Sequence, residues 1–286
     1  MPIEPPVVSP RRLSEAYAIL AATDPATPTR PLAGGTDLLV ALTGELGEPP
    51  ANVLDLWAID ALRGIDVDGG TLTLGALTTY REIRESVACR EHVPALVEAG
   101  ATIGAAQIQQ RGTLGGNIAN ASPAGDTLPV LLAADASIVI GSARGEREVA
   151  AADFWTAYRQ TALAHDELVV RVRIPLAKDR EMRFRKVGTR RAQSISKVML
   201  AVAWRGGEPW TGVRVALGSV AATPIRASAT EAVLEGASPT PETADRAAET
   251  LANELAPIDD VRSTAGYRRV VAARILHRVV RDAGAW

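Results

Sequence analysis

Apolar and polar residues alternate over several short segments of the chain, which is the pattern of a half-buried β-strand. The clearest example is 168–174, where valine and arginine alternate before Pro175 ends the segment. Similar patterns predict further strands at 52–56, 71–74, 137–140, 184–187, 197–204 and 212–220. The segment 29–42 predicts a short buried strand, a Gly-Gly turn, and a helix that Thr36 or Asp37 opens.

Apolar residues at helical spacing predict helices elsewhere. These are 14–22, with Ser9 or Ser14 as its cap, and 78–86, 93–100, 128–134, 243–255 and 266–282. The segment 104–126 is rich in Gly, Asn, Gln and Ala and shows neither helical nor strand periodicity. The charged segment 175–183 is a candidate boundary between two lobes. Mixed strands and helices predict an α+β fold.

Composition narrows the class of protein. The chain has 286 residues, 47% hydrophobic and 22% charged, which is ordinary for a globular protein of about two domains. A net charge of −2 offers no positive field for nucleic acid. No apolar run approaches the roughly twenty residues of a membrane span. Residues 1–10 contain four prolines and no apolar core, so we expect no secretory signal and a cytoplasmic protein, with membrane association only through partners.

Cysteine and histidine offer little chemistry. The single cysteine, Cys89, excludes an internal disulfide and a cysteine-ligated iron–sulfur cluster within this chain. His92, His165 and His277 are far apart, without the spacing of metal ligands or of a catalytic triad. We therefore expect no metal site and no catalytic acid–base or nucleophilic residue in this chain.

The predicted C-terminal helix is basic and carries Arg268, Arg269, Arg274, Arg278 and Arg281. Its apolar residues recur every fourth position, at Val271, Ile275 and Val279. Such a helix can face an acidic partner or a membrane surface. We favour the simpler interpretation, an amphipathic helix whose arginines lie in solvent.

Two glycine-rich segments suggest a ligand. The first glycine segment, 32–38, reads Leu-Ala-Gly-Gly-Thr-Asp-Leu, and the second, 107–120, contains Gly112, Gly115 and Gly116 with Thr113 and Asn117 as polar donors. Consecutive backbone N–H groups can surround a diphosphate, and glycine permits close approach. Neither segment is G-x-G-x-x-G or a P-loop, which disfavours Rossmann and Walker sites. Each segment alone could also be a simple turn.

Taken together, in this order and separation, the segments resemble the flavin-binding medium subunit of the molybdenum hydroxylases, the xanthine dehydrogenase and carbon monoxide dehydrogenase family. Two further stretches match, Asn-Ala-Ser-Pro-Ala-Gly-Asp at 120–126 and Lys-Val-Gly-Thr-Arg-Arg at 186–191. The resemblance covers nearly the whole chain. It departs from the carbon monoxide dehydrogenase pattern at Thr36–Asp37 and at 120–123, and from the wider family at Gln109–Gln110. These departures favour an N-heterocycle, purine or aldehyde over carbon monoxide as the substrate.

The resemblance implies a fold of the vanillyl-alcohol-oxidase (PCMH) type. An FAD-binding domain at 1–176, with α/β subdomains at about 1–57 and 58–176, would precede a C-terminal α+β domain at 177–286 of the carbon monoxide dehydrogenase flavoprotein type. The diphosphate of FAD would lie between two groups of residues: Leu32, Ala33, Gly34, Gly35, Thr36, Asp37 and Leu38, and Thr113, Leu114, Gly115, Gly116, Asn117 and Ala119.

The resemblance implies four further contacts with FAD. Asp126 would contact the ribityl or ribose region, Leu168 and Val169 would line the adenine side through their backbones, and Lys186 would lie near the isoalloxazine. A cation there would stabilise the negative charge of the reduced flavin. The alternatives are that Lys186 is a surface lysine beside basic neighbours, and that Asp126 only caps a turn or helix.

The implied function is electron transfer. Substrate would be oxidised at a molybdenum cofactor in a large subunit, and electrons would pass through [2Fe–2S] clusters of a small subunit to FAD in this chain, and then to an external acceptor. The assembly would be a dimer of heterotrimers. Two alternatives remain: a stand-alone FAD reductase or oxidase of the same fold, resembling enolpyruvyl-UDP-glucosamine reductases, and a non-enzymatic module that holds another nucleotide.

Overall fold

The computed structural model describes residues 5–44, 49–190 and 193–286. Residues 1–4, which belong to the N-terminal segment analysed above, and Arg191 of the 186–191 motif lie outside the described residues.

The strands, in chain order, are β1 (Val7–Val8), β2 (Thr29–Leu32), β3 (Asn52–Asp55), β4 (Ile65–Asp68), β5 (Thr71–Gly75), β6 (Ser137–Ser142), β7 (Gly145–Ala150), β8 (Trp155–Ala157), β9 (Gln160–Thr161), β10 (Leu168–Pro175), β11 (Arg180–Val187), β12 (Val198–Arg205), β13 (Thr211–Gly218) and β14 (Ile225–Arg226).

Helices alternate with these strands, which confirms the α+β prediction. They are α1 (Leu13–Ala21), α2 (Leu38–Thr43), α3 (Tyr80–Glu85), α4 (Val87–His92), α5 (Pro94–Ala101), α6 (Ala106–Arg111), α7 (Leu114–Asn120), α8 (Leu128–Ala133), α9 (Ala151–Phe154), α10 (Ser228–Leu234), α11 (Pro241–Glu254) and α12 (Ala265–Gly284), with a 3₁₀ turn at Asp60–Leu62. Within the described ranges, none of the helices is both long and apolar enough to cross a bilayer.

The N-terminal sheet is small and parallel, with strand order β1-β3-β2. Thr29 pairs with Asn52 and Leu32 with Asp55, and the first glycine segment leaves the sheet at the carboxyl end of β2. Ligands of open α/β sheets bind at this end of the strands. The sheet therefore presents the first glycine segment at an edge suited to a ligand.

The second sheet is antiparallel, with strand order β4-β5-β10-β6-β7. Its central strand β10 carries the alternation seen in the sequence, because Val172 and Ile174 are buried in the core. Arg171 and Arg173 on the other face form ion pairs with Glu146 and Glu148 of β7, at 2.8 Å and 3.1 Å. The solvent-exposed face of this strand therefore carries a row of ion pairs that cross the sheet.

The third sheet, β11-β12-β13-β14, separates two hydrophobic cores. On one face of β12, Leu200 and Val202 pack with residues of α10, α11 and α12. On the other face, Met199 and Ala201 join the larger core, to which α5 and α8 also belong. Successive side chains of β12 thus enter the two cores in turn. Both faces of the strand are buried, which explains why its sequence is a continuous apolar run.

Several predicted boundaries were wrong. The aperiodic segment 104–126 contains α6 and α7, which were missed because each spans fewer than two full turns. Strand β11 begins at Arg180, before the predicted strand at 184–187, since its charged residues occupy the outward positions of a strand. The candidate lobe boundary at 175–183 stays a prediction. Helix α1 has Arg12, not Ser9 or Ser14, at its N-cap, where Glu15 accepts from the Arg12 backbone N–H.

Candidate functional site

The two glycine segments meet in the folded chain. A β-carbon built on Gly34 would lie 1.7 Å from the carbonyl oxygen of Arg111 and 3.2 Å from the nitrogen of Gly112. One built on Gly116 would lie 3.9 Å from Cβ of Ala33. Glycine at 34 is therefore required for the two backbones to touch.

The first glycine segment offers free hydrogen-bond donors. Within the described residues, no acceptor meets the backbone N–H groups of 33–37, and the segment is largely half-buried. Gly35 has φ 78°, a left-handed conformation that turns the chain into α2. A run of consecutive free N–H groups in a concave turn suits a dense anion such as a diphosphate. These residues fit the diphosphate of a dinucleotide cofactor.

The second glycine segment differs, because the N–H groups of residues 114–117 already have acceptors within the chain. The nitrogen of Leu114 donates to the Thr78 carbonyl at 2.9 Å, Gly115 to the Ala76 carbonyl at 2.8 Å, and Gly116 to Oγ1 of Thr113 at 3.0 Å. The expectation of free backbone donors therefore holds only for the first segment. Glycine at 115 serves close packing instead, since a β-carbon there would lie 2.6 Å from Cβ of Ala76.

The second segment can still contact a ligand through the amide of Asn117 and through the open space beside Gly116. Asn117 accepts from the Thr127 hydroxyl at 2.6 Å through Oδ1, and in the part of the chain that the structure describes its Nδ2 has no acceptor. Gly116 lies opposite Ala33. The assignment of Thr113, Leu114, Gly115, Gly116 and Asn117 as ligands stays a prediction, with the amide of Asn117 and the bare Cα of Gly116 as the groups best placed for it.

Asp126 and Lys186 form a buried ion pair. Nζ of Lys186 lies 2.6 Å from Oδ2 of Asp126, and each side chain is 8% exposed. Lys186 also donates to the Thr102 carbonyl at 3.1 Å, and the Ser196 hydroxyl donates to Oδ1 of Asp126. Burial raises the pKa of Asp126, while Lys186 and Ser196 oppose that rise. The alternatives of a surface lysine and of an aspartate that only caps a turn are both wrong.

Leu168 and Val169 begin β10 next to the second segment. Their side chains are buried, and they pair with Gly141 and Ile140 of β6. Helix α7 packs against β10, and the nitrogen of Ala76 donates to the Val170 carbonyl at 2.9 Å. Both residues are almost wholly buried, so the contact of their backbones with the adenine side stays a prediction.

The remaining predicted residues surround the first segment. Leu38 begins α2, and Asp37 is at its N-cap position but makes no side-chain cap. Instead Oδ1 of Asp37 accepts from Nδ2 of Asn120 at 3.0 Å, and Asn120 in turn accepts from Arg159 at 3.0 Å. Ala119 is exposed on α7. These contacts tie the exit of the first segment to the end of the second.

Tyr80 and Ser196 are the site residues that the sequence reasoning missed. The ring of Tyr80 lies beneath Gly112, where a β-carbon would be 2.7 Å from Cε2. Burial raises the pKa of Tyr80, and the carboxylates of Asp37 and Asp126 add to that rise. Nothing in the local sequence marks Ser196, but Thr79 and Glu82 form a capping box, a signal that places Tyr80 at the first position of α3.

Gln109, noted as a departure from the family pattern, has a structural role. It is buried, and its amide donates to the carbonyls of Ala101 and Ile103 at 3.3 Å and 3.0 Å and accepts from Arg84. Gln110 accepts from Arg81 at 3.0 Å. These glutamines therefore hold α6 against its neighbours, and nothing in their contacts bears on a substrate.

The chain matches two known protein families. Residues 2–177 match the family described as the FAD binding domain in molybdopterin dehydrogenase, and residues 183–283 match the carbon monoxide dehydrogenase flavoprotein C-terminal domain. The chain belongs to the FAD-binding subunits of the molybdopterin dehydrogenases. It is thus a flavoprotein subunit of an oxidoreductase, and FAD is its cofactor.

The chain is similar to known proteins over nearly its whole length. This chain is 30% identical to the nicotine 6-hydroxylase medium subunit of Paenarthrobacter nicotinovorans, over 97% of this chain and 96% of the relative. It is 32% identical to the glyceraldehyde dehydrogenase medium chain of Sulfolobus acidocaldarius, over 91% of each.

A chain of carbon monoxide dehydrogenase from Hydrogenophaga pseudoflava, in a form that lacks the Mo-pyranopterin moiety of the molybdenum cofactor, superposes with a TM-score of 0.93 at 30% identity. The match covers 100% of this chain and 99% of that one. A chain of quinoline 2-oxidoreductase from Pseudomonas putida 86 superposes with a TM-score of 0.91 at 29% identity, over 99% and 97%. The fold is that of this flavoprotein family, as the sequence predicted.

Proposed function

We propose that this chain is the electron-transfer subunit of a molybdenum hydroxylase. Bound FAD would take electrons from the [2Fe–2S] clusters of a small subunit and deliver them to an external acceptor. The organic substrate would be oxidised at a molybdenum cofactor in a large subunit. Relatives named as medium subunits or chains, matched over nearly their full length, support this role. Those relatives are named for nicotine, glyceraldehyde and carbon monoxide, so the substrate class stays an N-heterocycle, purine, aldehyde or carbon monoxide.

The observation that carries the proposal is the run of N–H groups at 33–37 without acceptors among the described residues, opposite Gly116 and next to Nδ2 of Asn117, which has no acceptor there either. This arrangement supplies several donors to one dense anion without any lysine or metal. The first segment would hold one phosphate group closely through its backbone. Asn117 and the open face at Gly116 would accommodate the second, which favours the diphosphate of FAD over the monophosphate of FMN.

The Asp126–Lys186 pair would lie towards the flavin. A carboxylate has about four acceptor positions, and Lys186 and Ser196 occupy two, so Asp126 can still accept from a ribityl or ribose hydroxyl. Lys186, fixed by two acceptors, would keep a positive charge near the isoalloxazine, where it stabilises the reduced cofactor. The backbones of Leu168 and Val169 would contact the adenine side.

We also propose a division into an FAD-binding domain at 1–176, with subdomains at about 1–57 and 58–176, and a C-terminal domain at 177–286. The two hydrophobic cores support this division, although the larger core includes one face of the C-terminal sheet. The two domains would clasp the cofactor, because Asp126 of the first and Lys186 of the second form the buried pair.

The assembly would be a dimer of heterotrimers, each with a molybdenum-containing large subunit and an iron–sulfur small subunit. The single, buried Cys89 supports clusters located in another chain and a reducing compartment such as the cytoplasm. Any membrane association would come through partners. Co-purification from the native source, with analysis of Mo and Fe, tests this assembly. Recovery of the chain alone, free of both metals, would contradict it.

The cofactor is tested on the purified chain. Acid precipitation is expected to release a yellow cofactor into the supernatant, because no covalent link is proposed, and chromatography is expected to identify it as FAD. Flavin that stays with the pellet, or FMN as the only species, would contradict the proposal.

One observation favours the stand-alone reductase as a second candidate. A self-contained flavin reductase needs a proton donor near the cofactor, and the buried Ser196 hydroxyl, which donates to Asp126, would be such a group with the flavin beside this pair. Anaerobic bleaching of the bound flavin by NADPH, with no partner subunit present, would support this candidate. Flavin that NADPH alone does not bleach would support the medium-subunit role.

A further inference from the structure

Arg268 is buried although it begins a basic helix. Only 3% of the residue is exposed, so the expectation that the arginines of the C-terminal helix all lie in solvent is wrong at this position. A fully buried guanidinium is costly unless its N–H groups are paired. Its contacts therefore indicate why the chain keeps an arginine here.

The guanidinium joins three separate parts of the chain. Nη1 of Arg268 donates to the carbonyls of Lys197 at 2.7 Å and Ser219 at 2.9 Å, and Nη2 donates to Asp260 at 2.7 Å. Nε is buried and has no partner among the described residues, so the position of the group is set by its two Nη atoms. A lysine could not reach all three acceptors, because the planar fork of arginine holds its donors in fixed directions.

Hydrogen bonds connect Ser219, one of the residues that Arg268 contacts, to the proposed FAD site. The hydroxyl of Ser219 donates to the Ser196 carbonyl at 3.0 Å, and the backbone nitrogen of Ser219 donates to the Pro123 carbonyl at 2.8 Å. Ser196 then donates to Asp126. Ser219 has φ 63°, a left-handed conformation that a residue other than glycine adopts only when its surroundings hold it.

We propose that Arg268 is a positioning residue for the FAD site, which acts from the C-terminal helix through Ser219 and Ser196 on Asp126 and the 120–126 stretch. The carbonyls of Lys197 and Ser219 lose their donor when the guanidinium is removed. Ser219 is then no longer held in its left-handed conformation. The bonds from Ser219 to Pro123 and from Ser196 to Asp126 then weaken, although Asp126 keeps its ion pair with Lys186. The part that concerns FAD rests on the function proposed above.

The link is tested first without any cofactor. In the full-length chain stripped of flavin, Arg268→Met is expected to raise hydrogen exchange about tenfold in peptides covering 120–127, in the other domain. Arg269→Met is the matched control, because Arg269 lies on the same helix and, within the described part of the chain, donates only to the Leu255 carbonyl, at 3.1 Å. Arg268→Lys keeps the charge and is expected to give an intermediate increase in hydrogen exchange. If Arg268→Met does not fold, the result for Arg268→Lys decides the test.

Exchange in 120–127 that stays at the wild-type rate in both folded Arg268 variants would overturn the proposal. So would an equal increase in the Arg269 control. The second readout is FAD affinity, which is expected to fall about tenfold in Arg268→Met, less in Arg268→Lys and not in Arg269→Met. Altered exchange in a chain whose wild type binds no FAD would refute the proposed function but leave the positioning role intact. Altered exchange with unchanged FAD affinity would overturn the link to the site.

Discussion

The backbones of Gly34 and Arg111 touch so closely that no side chain fits between them, since a β-carbon on Gly34 would lie 1.7 Å from the Arg111 carbonyl oxygen. Backbone and carbonyl atoms cannot move aside as a flexible side chain can. This single contact therefore determines how near the free N–H groups of the first glycine segment lie to the second.

Gly34→Ala is expected to separate the two segments and remove most of the bound FAD. Overpacking of this kind also costs about 1–3 kcal/mol of stability. The absorbance ratio of flavin to protein measures the first effect, and thermal unfolding of the flavin-free chain measures the second. Gly207→Ala is the control, because Gly207 is exposed with open space around it. Full FAD occupancy in Gly34→Ala would show that the contact between the segments is not needed for the cofactor.

Gly116→Val and Gly115→Val are expected to differ in stability. A β-carbon on Gly116 would meet only the Thr113 hydroxyl within 3 Å, so this variant should fold and lose flavin by filling the space opposite Ala33. At Gly115 the β-carbon would lie 2.7 Å from the Ala76 carbonyl oxygen, which should lower the free energy of unfolding by about 1–3 kcal/mol as well. Circular dichroism and flavin retention separate the two effects. Equal stability of both variants, with FAD retained, would contradict this assignment.

Lys186→Met is expected to destabilise the chain in a pH-dependent way. Removing the cation leaves the buried carboxylate of Asp126 unpaired, and losing one partner of a buried ion pair costs about 3–5 kcal/mol near neutral pH. The pKa of Asp126 is already raised above its ordinary value of 3.8, chiefly by burial, and without Lys186 it rises further. The fold then favours the protonated acid, so stability is fully present below that ordinary value and is lost as pH rises through the folded pKa.

The stability difference between wild type and Lys186→Met should therefore be larger at about pH 7 than at about pH 5, measured by denaturant unfolding. Lys178→Met is the control, since Lys178 is exposed. Adding Asp126→Asn to Lys186→Met should recover part of the loss at the higher pH, because no buried charge remains. A difference that does not change with pH would mean that Asp126 is not the group responsible.

The isolated chain is expected to oxidise no organic substrate. Addition of the molybdenum and iron–sulfur subunits should permit substrate-dependent bleaching of its flavin under anaerobic conditions, because the electrons would then have a route to FAD. The measurement is the flavin absorbance with each partner alone and with both. Turnover by the purified chain, free of Mo and Fe, would favour the stand-alone enzyme.

Features that depend on neighbours in sequence were largely predictable. The Val/Arg alternation of β10 predicted its strand and its wet face, because a strand turns successive side chains to opposite sides. The first glycine segment was predictable as a turn between strand and helix, since Gly35 adopts a conformation that other residues resist. Helices α6 and α7 were not, because a periodic pattern needs more residues than either contains.

Features that depend on distant residues were decided only by the tertiary structure. The family resemblance implied Lys186 and Asp126 as separate ligands of FAD, and folding made them one buried pair with Ser196. The helical spacing of apolar residues assigned Arg268 to a face in solvent, whereas its three acceptors come from segments that folding brings together. A charged residue enters the interior only when partners satisfy it, and the sequence around that residue does not reveal whether distant segments supply them.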